Sequence, residues 1–221
     1  MRAESKKQLE RLLVYAEGEE RARRAADFLS ERCASLSDVA ENGASALKSM
    51  AGLSDKAVAL LLLAAEATSR RITDSFSFGV RHSPEEIVEY LKGLYIGESE
   101  EKVFLICLDG KMRTISCDLV GAGAVNGSPF SVRRMVEIVV SRGARHAILA
   151  HNHPIGYAEP SGDDIISTEA ILAAFRTVRV ELVAHYVISG MKAARINGDM
   201  SVNKLSDQDV LKVASSTKIK N

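Results

Sequence analysis

Apolar positions recur at helical spacing through the first third of the chain and at strand spacing, or in short unbroken runs, through the rest. Leu9, Leu12, Leu13 and Ala16 stand three and four residues apart, Ala22 to Leu29 keep that period, and Val58 to Ala67 form a long run of strong helix formers. Almost nothing before Asp74 alternates as a strand does. Ser35 to Asp38 predicts a helix start, and Met50-Ala51-Gly52-Leu53-Ser54 ahead of Lys56 predicts a turn feeding the apolar helix. Asp74 to His82, with Ser75, Ser77 and Gly79, reads as a linker. Ser83-Pro84-Glu85-Glu86 then opens a helix, with proline and acids in its first turn.

After Gly97 the pattern changes. Val103 to Leu108 is an uninterrupted apolar run of strand length, as expected of a strand covered on both faces, and Asp109-Gly110 predicts a hairpin turn into Met112 to Leu119. A Gly-rich connection, Gly121 to Ser128, leads to a helix over Ser131 to Ser141. A strand over Ala144 to Ala150, a helix over Ser161 to Arg176 and further strand over Val178 to Ile188 complete the pattern. This order predicts a mixed α/β domain built around a sheet. The expected boundaries are a helical domain over 1–75, a linker and helix over 76–97, the α/β domain over 98–198, and a polar tail over 199–221 holding a short helix.

Charge and composition narrow the functions. The chain has 29 basic and 29 acidic residues, and with residues 1–97 at net −1 and the remainder at net +1, neither part attracts nucleic acid or anionic lipid broadly. No apolar run reaches the ~18 residues a membrane span needs. Met1 is followed by Arg2, Glu4, Lys6 and Lys7 rather than a secretory leader, so the expected location is the cytoplasm. Cys33, Cys107 and Cys117 are too scattered for a disulfide framework or a thiolate metal cluster, and packing is the better reading of the last two.

Chemistry concentrates between Ala147 and Asp164. His151 and His153 stand two apart at a strand end, where the period of two sends both rings from one face. Asp164 lies in the first turn of the next helix, after a loop containing Gly156 and Pro160 that is long enough to bring the helix start back over the strand end. Two imidazoles and one carboxylate on zinc leave a fourth position for water, the arrangement of a catalytic site. Hydrolysis also needs a base, and spacing leaves Glu98, Glu100 and Glu101 all open for that role. Ser161 with Asp164 is equally a helix capping box. His146 reads as a surface residue, His82 as part of the linker, His185 as a structural histidine, and Arg21, Arg23 and Arg24 as a solvated helix face.

Residues 101–190 resemble the RadC-type branch of the JAMM (MPN/JAB) zinc metallopeptidase-like family, whose pattern is a Glu, a distant His-x-His-Pro, and a downstream Ser-x-x-Asp. Glu101, His151, His153, Pro154, Ser161 and Asp164 fill it. The family's Glu stands eight residues before the Asp that ends its strand, which selects Glu101 from Asp109. The resemblance implies a deaminase-like mixed sheet flanked by helices, preceded by a small all-helical domain with a helix-hairpin-helix-like turn. It implies Zn2+ held by His151, His153 and Asp164, Glu101 as general base, and Ser161 polarising the scissile carbonyl of a peptide or protein substrate. Ile155, Ser131-Val132-Arg133 and Ala184-His185 depart from the family's usual Ser, His-Pro-Arg and Asp-His. The alternative is a non-enzymatic module of DNA repair or recombination, with DNA contacted through the turn at Ala51-Gly52-Leu53-Ser54-Asp55-Lys56, where one Gly and an acid replace the Gly-x-Gly of working hairpins.

Overall fold

The computed structural model describes residues 1–123, 131–154, 156–197 and 199–205. The chain divides into two compact units, one of Met1–Asp74 with Gly93–Ser99, the other of Ser75–Lys92 with Glu100 onward. Among the described residues no helix is long and apolar enough to cross a membrane.

The helical unit contains α1 (Ala3–Glu17), α2 (Glu19–Arg32), α3 (Leu36–Glu41), α4 (Gly43–Ala51) and α5 (Asp55–Asp74). Leu9 and Leu13 of α1, Ala22, Ala26 and Leu29 of α2, Val39, Leu47, and Ala57, Val58 and Leu61 of α5 form its core. The small alanine stripe on α2 lets its neighbours approach closely. Ser35 starts α3 with a reciprocal capping box to Asp38, as the sequence predicts. Gly52, at φ 63°, ends α4 in the left-handed conformation that glycine adopts most readily.

Helix α6 (Pro84–Tyr95), of which Pro84–Lys92 belong to the second unit, precedes a six-stranded mixed sheet flanked by helices, which bears out the expected fold class. The strands are β1 (Lys102–Leu108), β2 (Thr114–Ala122), β3 (His146–Asn152), β4 (Glu181–Ser189), β5 (Lys192–Asn197) and β6 (Val202–Leu205), in spatial order β2-β1-β3-β4-β5-β6. Of these strands only β3 and β4 pair in parallel, joined by α8 (Gly162–Thr177), while α7 (Val132–Ser141) enters β3. Val103, Leu105 and Cys107 of β1, Ala147 and Leu149 of β3, and Leu182 of β4 pack under Met135 and Val139 of α7 and Ile171 and Phe175 of α8. A bulge in β4 decides which face its later residues present. Ala147 pairs with Leu182 but Ile148 pairs with Ala184, so Val183 is skipped and both Leu182 and His185 turn to the helix-covered face.

One expectation is corrected in its bounds. The Asp109-Gly110 hairpin is present, but its loop runs over Asp109–Arg113 and β2 starts at Thr114 rather than Met112, because the Asp109 carboxylate accepts from the backbone of Lys111 (2.8 Å) and Arg113 (2.9 Å) and from Arg113 Nε (2.7 Å). After Asn197 the chain first forms a strand, Val202–Leu205, and the short helix expected in the tail falls on residues outside the described ones. Asn197 donates from its backbone N–H and its side-chain amide to the Ser201 carbonyl and hydroxyl oxygens, Met200 takes φ 66°, and Val202–Leu205 reverse onto β5. The tail beyond 205 and residues 124–130 of the Gly-rich connection lie outside the described residues.

Glu41 is buried at the end of α3, and burial, helped by the charge of Asp38, pushes its carboxyl from 4.5 up to about 8. A carboxyl that holds its proton more tightly when folded contributes stability below pH 4.5 that is lost as pH rises towards 8. Glu41→Gln is therefore expected to match wild type near pH 4 and to exceed it by on the order of 2–4 kcal/mol above pH 8, in urea denaturation compared at the two pH values.

Candidate metal centre

The site is built where β3 ends and α8 begins. His151, the second-last residue of β3, is fully buried on the helix-covered face opposite Val103 of β1. His153 stands two positions on, its backbone N–H held by the Ile188 carbonyl of β4 at 2.8 Å. Ser161 caps α8, accepting from the Asp164 N–H at 3.2 Å. In return the Ser161 N–H and hydroxyl both donate to Asp164 Oδ2 at 2.6 Å. The helix cap thus aims the carboxylate.

These three side chains converge. His151 Nε2 lies 3.0 Å from His153 Nε2 and 3.1 Å from Asp164 Oδ1, and His153 Nε2 lies 3.5 Å from Asp164 Oδ2. Two donors about 2.0–2.1 Å from a tetrahedral zinc stand roughly 3.3 Å apart, and the separations here, which end on one Asp164 oxygen for His151 and the other for His153, are close to that. Among the described residues it is the one group of three or more His, Cys, Asp or Glu close enough to hold a metal ion. His153 Nδ1 faces the Tyr157 carbonyl at 3.0 Å, and a carbonyl only accepts, so the proton of the neutral ring sits on Nδ1 and Nε2 is bare. The donor set fits zinc.

Electrostatics agree with the geometry. Burial alone would push the Asp164 carboxyl up, but with protons rather than a cation on the ring nitrogens that face it, hydrogen bonds from His151, His153 and Ser161 outweigh burial and hold the group well below the usual carboxylate range. His153 is raised above 6.5 chiefly by its hydrogen bond to Asp164, against burial, with smaller contributions from the Tyr157 carbonyl and the charge of Glu101.

Glu101 stands two residues before Val103, the β1 residue that pairs with His151. It immediately precedes β1, half-buried, with its carbonyl accepting from Gly123 at 2.7 Å. Asn152 accounts for its position: its Oδ1 accepts from the Lys102 N–H at 2.7 Å and its Nδ2 donates to the Glu100 carbonyl at 3.1 Å, gripping the backbone on both sides of Glu101. Glu100 is exposed, and Glu98 belongs to the segment grouped with the helical unit.

Sequence reasoning assigned no role to Asn152 or Thr168, although a polar residue inside an apolar strand and a threonine one helical turn after Asp164 were both visible. His185, read as structural, is fully buried with Nε2 2.8 Å from His151 Nδ1. Ser131 is the N-cap of α7, Ala184 is buried, and Ile155 lies outside the described residues.

Residues 81–197, more than half of the chain, match the family model described as a RadC-like JAB domain. The chain belongs to that family. It is 32% identical over 140 residues to a UPF0758 protein of Herminiimonas arsenicoxydans, covering 63% of this chain and 62% of that protein. To a UPF0758 protein of Chromobacterium violaceum it is 30% identical over 147 residues, covering 66% and 65%. The matched stretch spans less than two thirds of either relative. Strands β1 to β5 and the donor triangle all fall within the matched stretch of this RadC-like chain.

Removing the Asn152 amide leaves a part-buried N–H of Lys102 and carbonyl of Glu100 without that partner. Asn152→Ala is expected to cost about 1–3 kcal/mol and to speed amide exchange at Lys102 by at least tenfold relative to the centre of β1. Unchanged protection at Lys102 would remove Asn152 from the positioning of Glu101.

Proposed function

We propose that this RadC-like chain is a zinc-dependent hydrolase of peptide or isopeptide bonds. The observation that carries the reading is the His151–His153–Asp164 triangle, with Glu101 two residues before the Val103 that pairs with His151. Zinc bound there would supply a Lewis acid and lower the pKa of a water towards ~7. Glu101 takes a proton from the attacking water and returns it to the leaving amine, a task for which its attachment between two backbone anchors is suited. His153 is the ligand whose side chain reaches solvent, so a substrate approaches from its side, past the exposed ring of Tyr157. Ser161 serves first to orient Asp164. To polarise a substrate carbonyl, its hydroxyl must turn from Asp164 Oδ2.

The DNA-repair alternative draws no support from the hairpin. The Ser54 N–H at the start of α5, a donor that a phosphate would use, is taken at 2.6 Å by Glu17 Oε1, and Glu17 is itself paired with Arg21 at 2.9 Å. Arg21 also donates to the Gly52 carbonyl. Carboxylate and guanidinium thus hold an N–H and a carbonyl of the turn from within the chain.

Glu101→Gln keeps the size and the backbone anchors but cannot take a proton. It is expected to retain one equivalent of zinc while losing about 10²- to 10⁴-fold in hydrolysis of peptide and isopeptide substrates. Full activity in this variant, or an equal zinc content in wild type and a His151→Ala, His153→Ala double variant, overturns the reading.

A further inference from the structure

Behind the donor triangle lies a second set of buried polar groups that the proposed hydrolysis does not use. Thr168 and His185 are both fully buried, and they form a closed path from one ligand to another. Thr168 Oγ1 is 2.6 Å from the Asp164 carbonyl oxygen and 2.7 Å from His185 Nδ1, and His185 Nε2 is 2.8 Å from His151 Nδ1.

Proton counting gives this path one direction. A carbonyl oxygen only accepts, and two oxygens 2.6 Å apart need a proton between them, so the single hydroxyl proton of Thr168 points at Asp164. Having spent it, the hydroxyl accepts from His185, whose proton therefore sits on Nδ1. Complete burial disfavours the imidazolium, which leaves His185 Nε2 bare and able only to accept. The proton between the two rings then belongs to His151 Nδ1, and His151 Nε2 is the bare nitrogen facing His153 and Asp164.

We propose that Thr168 and His185 are positioning residues that fix the tautomer of His151 and so present its Nε2 to a metal ion. The inference rests on the zinc reading above and deepens it. The geometry needs the β4 bulge, since without the skipped Val183 the side chain of His185 would point to the opposite face of the sheet. It also makes the ligand set self-referential, because the carbonyl that starts the relay belongs to Asp164. An imidazole without such a partner divides its proton between its two nitrogens, and the wrong tautomer aims N–H at the cation.

The test is histidine tautomer mapping by long-range 1H–15N spectra of the full-length chain with and without added zinc, together with zinc competition against a chromophoric chelator. In the unaltered chain His185 is expected to carry its proton on Nδ1 and, with zinc, His151 to carry its proton on Nδ1 as well. Thr168→Ser keeps the hydroxyl and is expected to keep both tautomers, with zinc affinity within about twofold. Thr168→Val removes it, and is expected to move the His185 proton to Nε2 and to weaken zinc binding by about 10- to 100-fold. A wild-type chain that binds zinc with His185 protonated on Nε2, or a Val variant that binds zinc as tightly as the Ser variant, overturns the inference alone. The wild-type tautomer needs no variant to fold. A wild-type chain that takes up no zinc overturns the metal reading and the inference with it.

Discussion

The carboxylate of Asp164 has to be buried, ionised and correctly aimed at once, and most of the surrounding structure answers to that constraint. A buried carboxylate without partners costs several kcal/mol. Here the Ser161 N–H and hydroxyl offset part of the cost, and the two imidazole nitrogens facing the carboxylate offset more through the proton or cation they share with it. The same hydrogen bonds that start α8 point the carboxylate at the end of β3, so helix nucleation and ligand orientation are a single interaction. Ser161 and Asp164 therefore do not choose between a structural and a chemical role.

The sheet supplies the rest. Parallel pairing of β3 with β4 carries α8 across one face, and antiparallel pairing of β1 with β3 brings the start of β1, with Glu101, to the strand end where His151 and His153 leave. Asn152, between the two histidines, points to the opposite side and joins the strands there. The alternation of a single strand thus sends the metal-facing rings one way and the clamp that positions the base the other. The Val183 bulge then adds His185 to the histidines' side.

How much of this was legible in the sequence depends on the range of the forces involved. Helices with local caps, such as α3 at Ser35, α7 at Ser131 and α8 at Ser161, were readable because their start signals lie within three residues of the groups they satisfy. The buried strands β1 and β3 were readable from unbroken apolar runs. Strand β5, Lys-Ala-Ala-Arg-Ile-Asn, was not, because its alanines favour helix and only pairing with β4 makes it strand; β6 depends in turn on β5. The His-x-His spacing and the Ser-x-x-Asp cap were visible, and the family resemblance tied Glu101 to them. Thr168 and Asn152 escaped notice because their partners lie across the fold: His185 is 17 residues from Thr168, and Glu100 is 52 from Asn152.

Membership of the RadC-like JAB domain family accounts for the sheet and the motif, and the chemistry rests on whether a cation sits in the donor triangle with one position left to solvent. A crystal structure of the zinc-loaded chain, with anomalous scattering measured on both sides of the zinc edge, tests this most directly. The account predicts one zinc peak within about 2.0–2.2 Å of His151 Nε2, His153 Nε2 and an Asp164 oxygen, with a solvent ligand in the fourth position within hydrogen-bond reach of Glu101. No peak there, or a fourth position filled by a protein side chain, would contradict it.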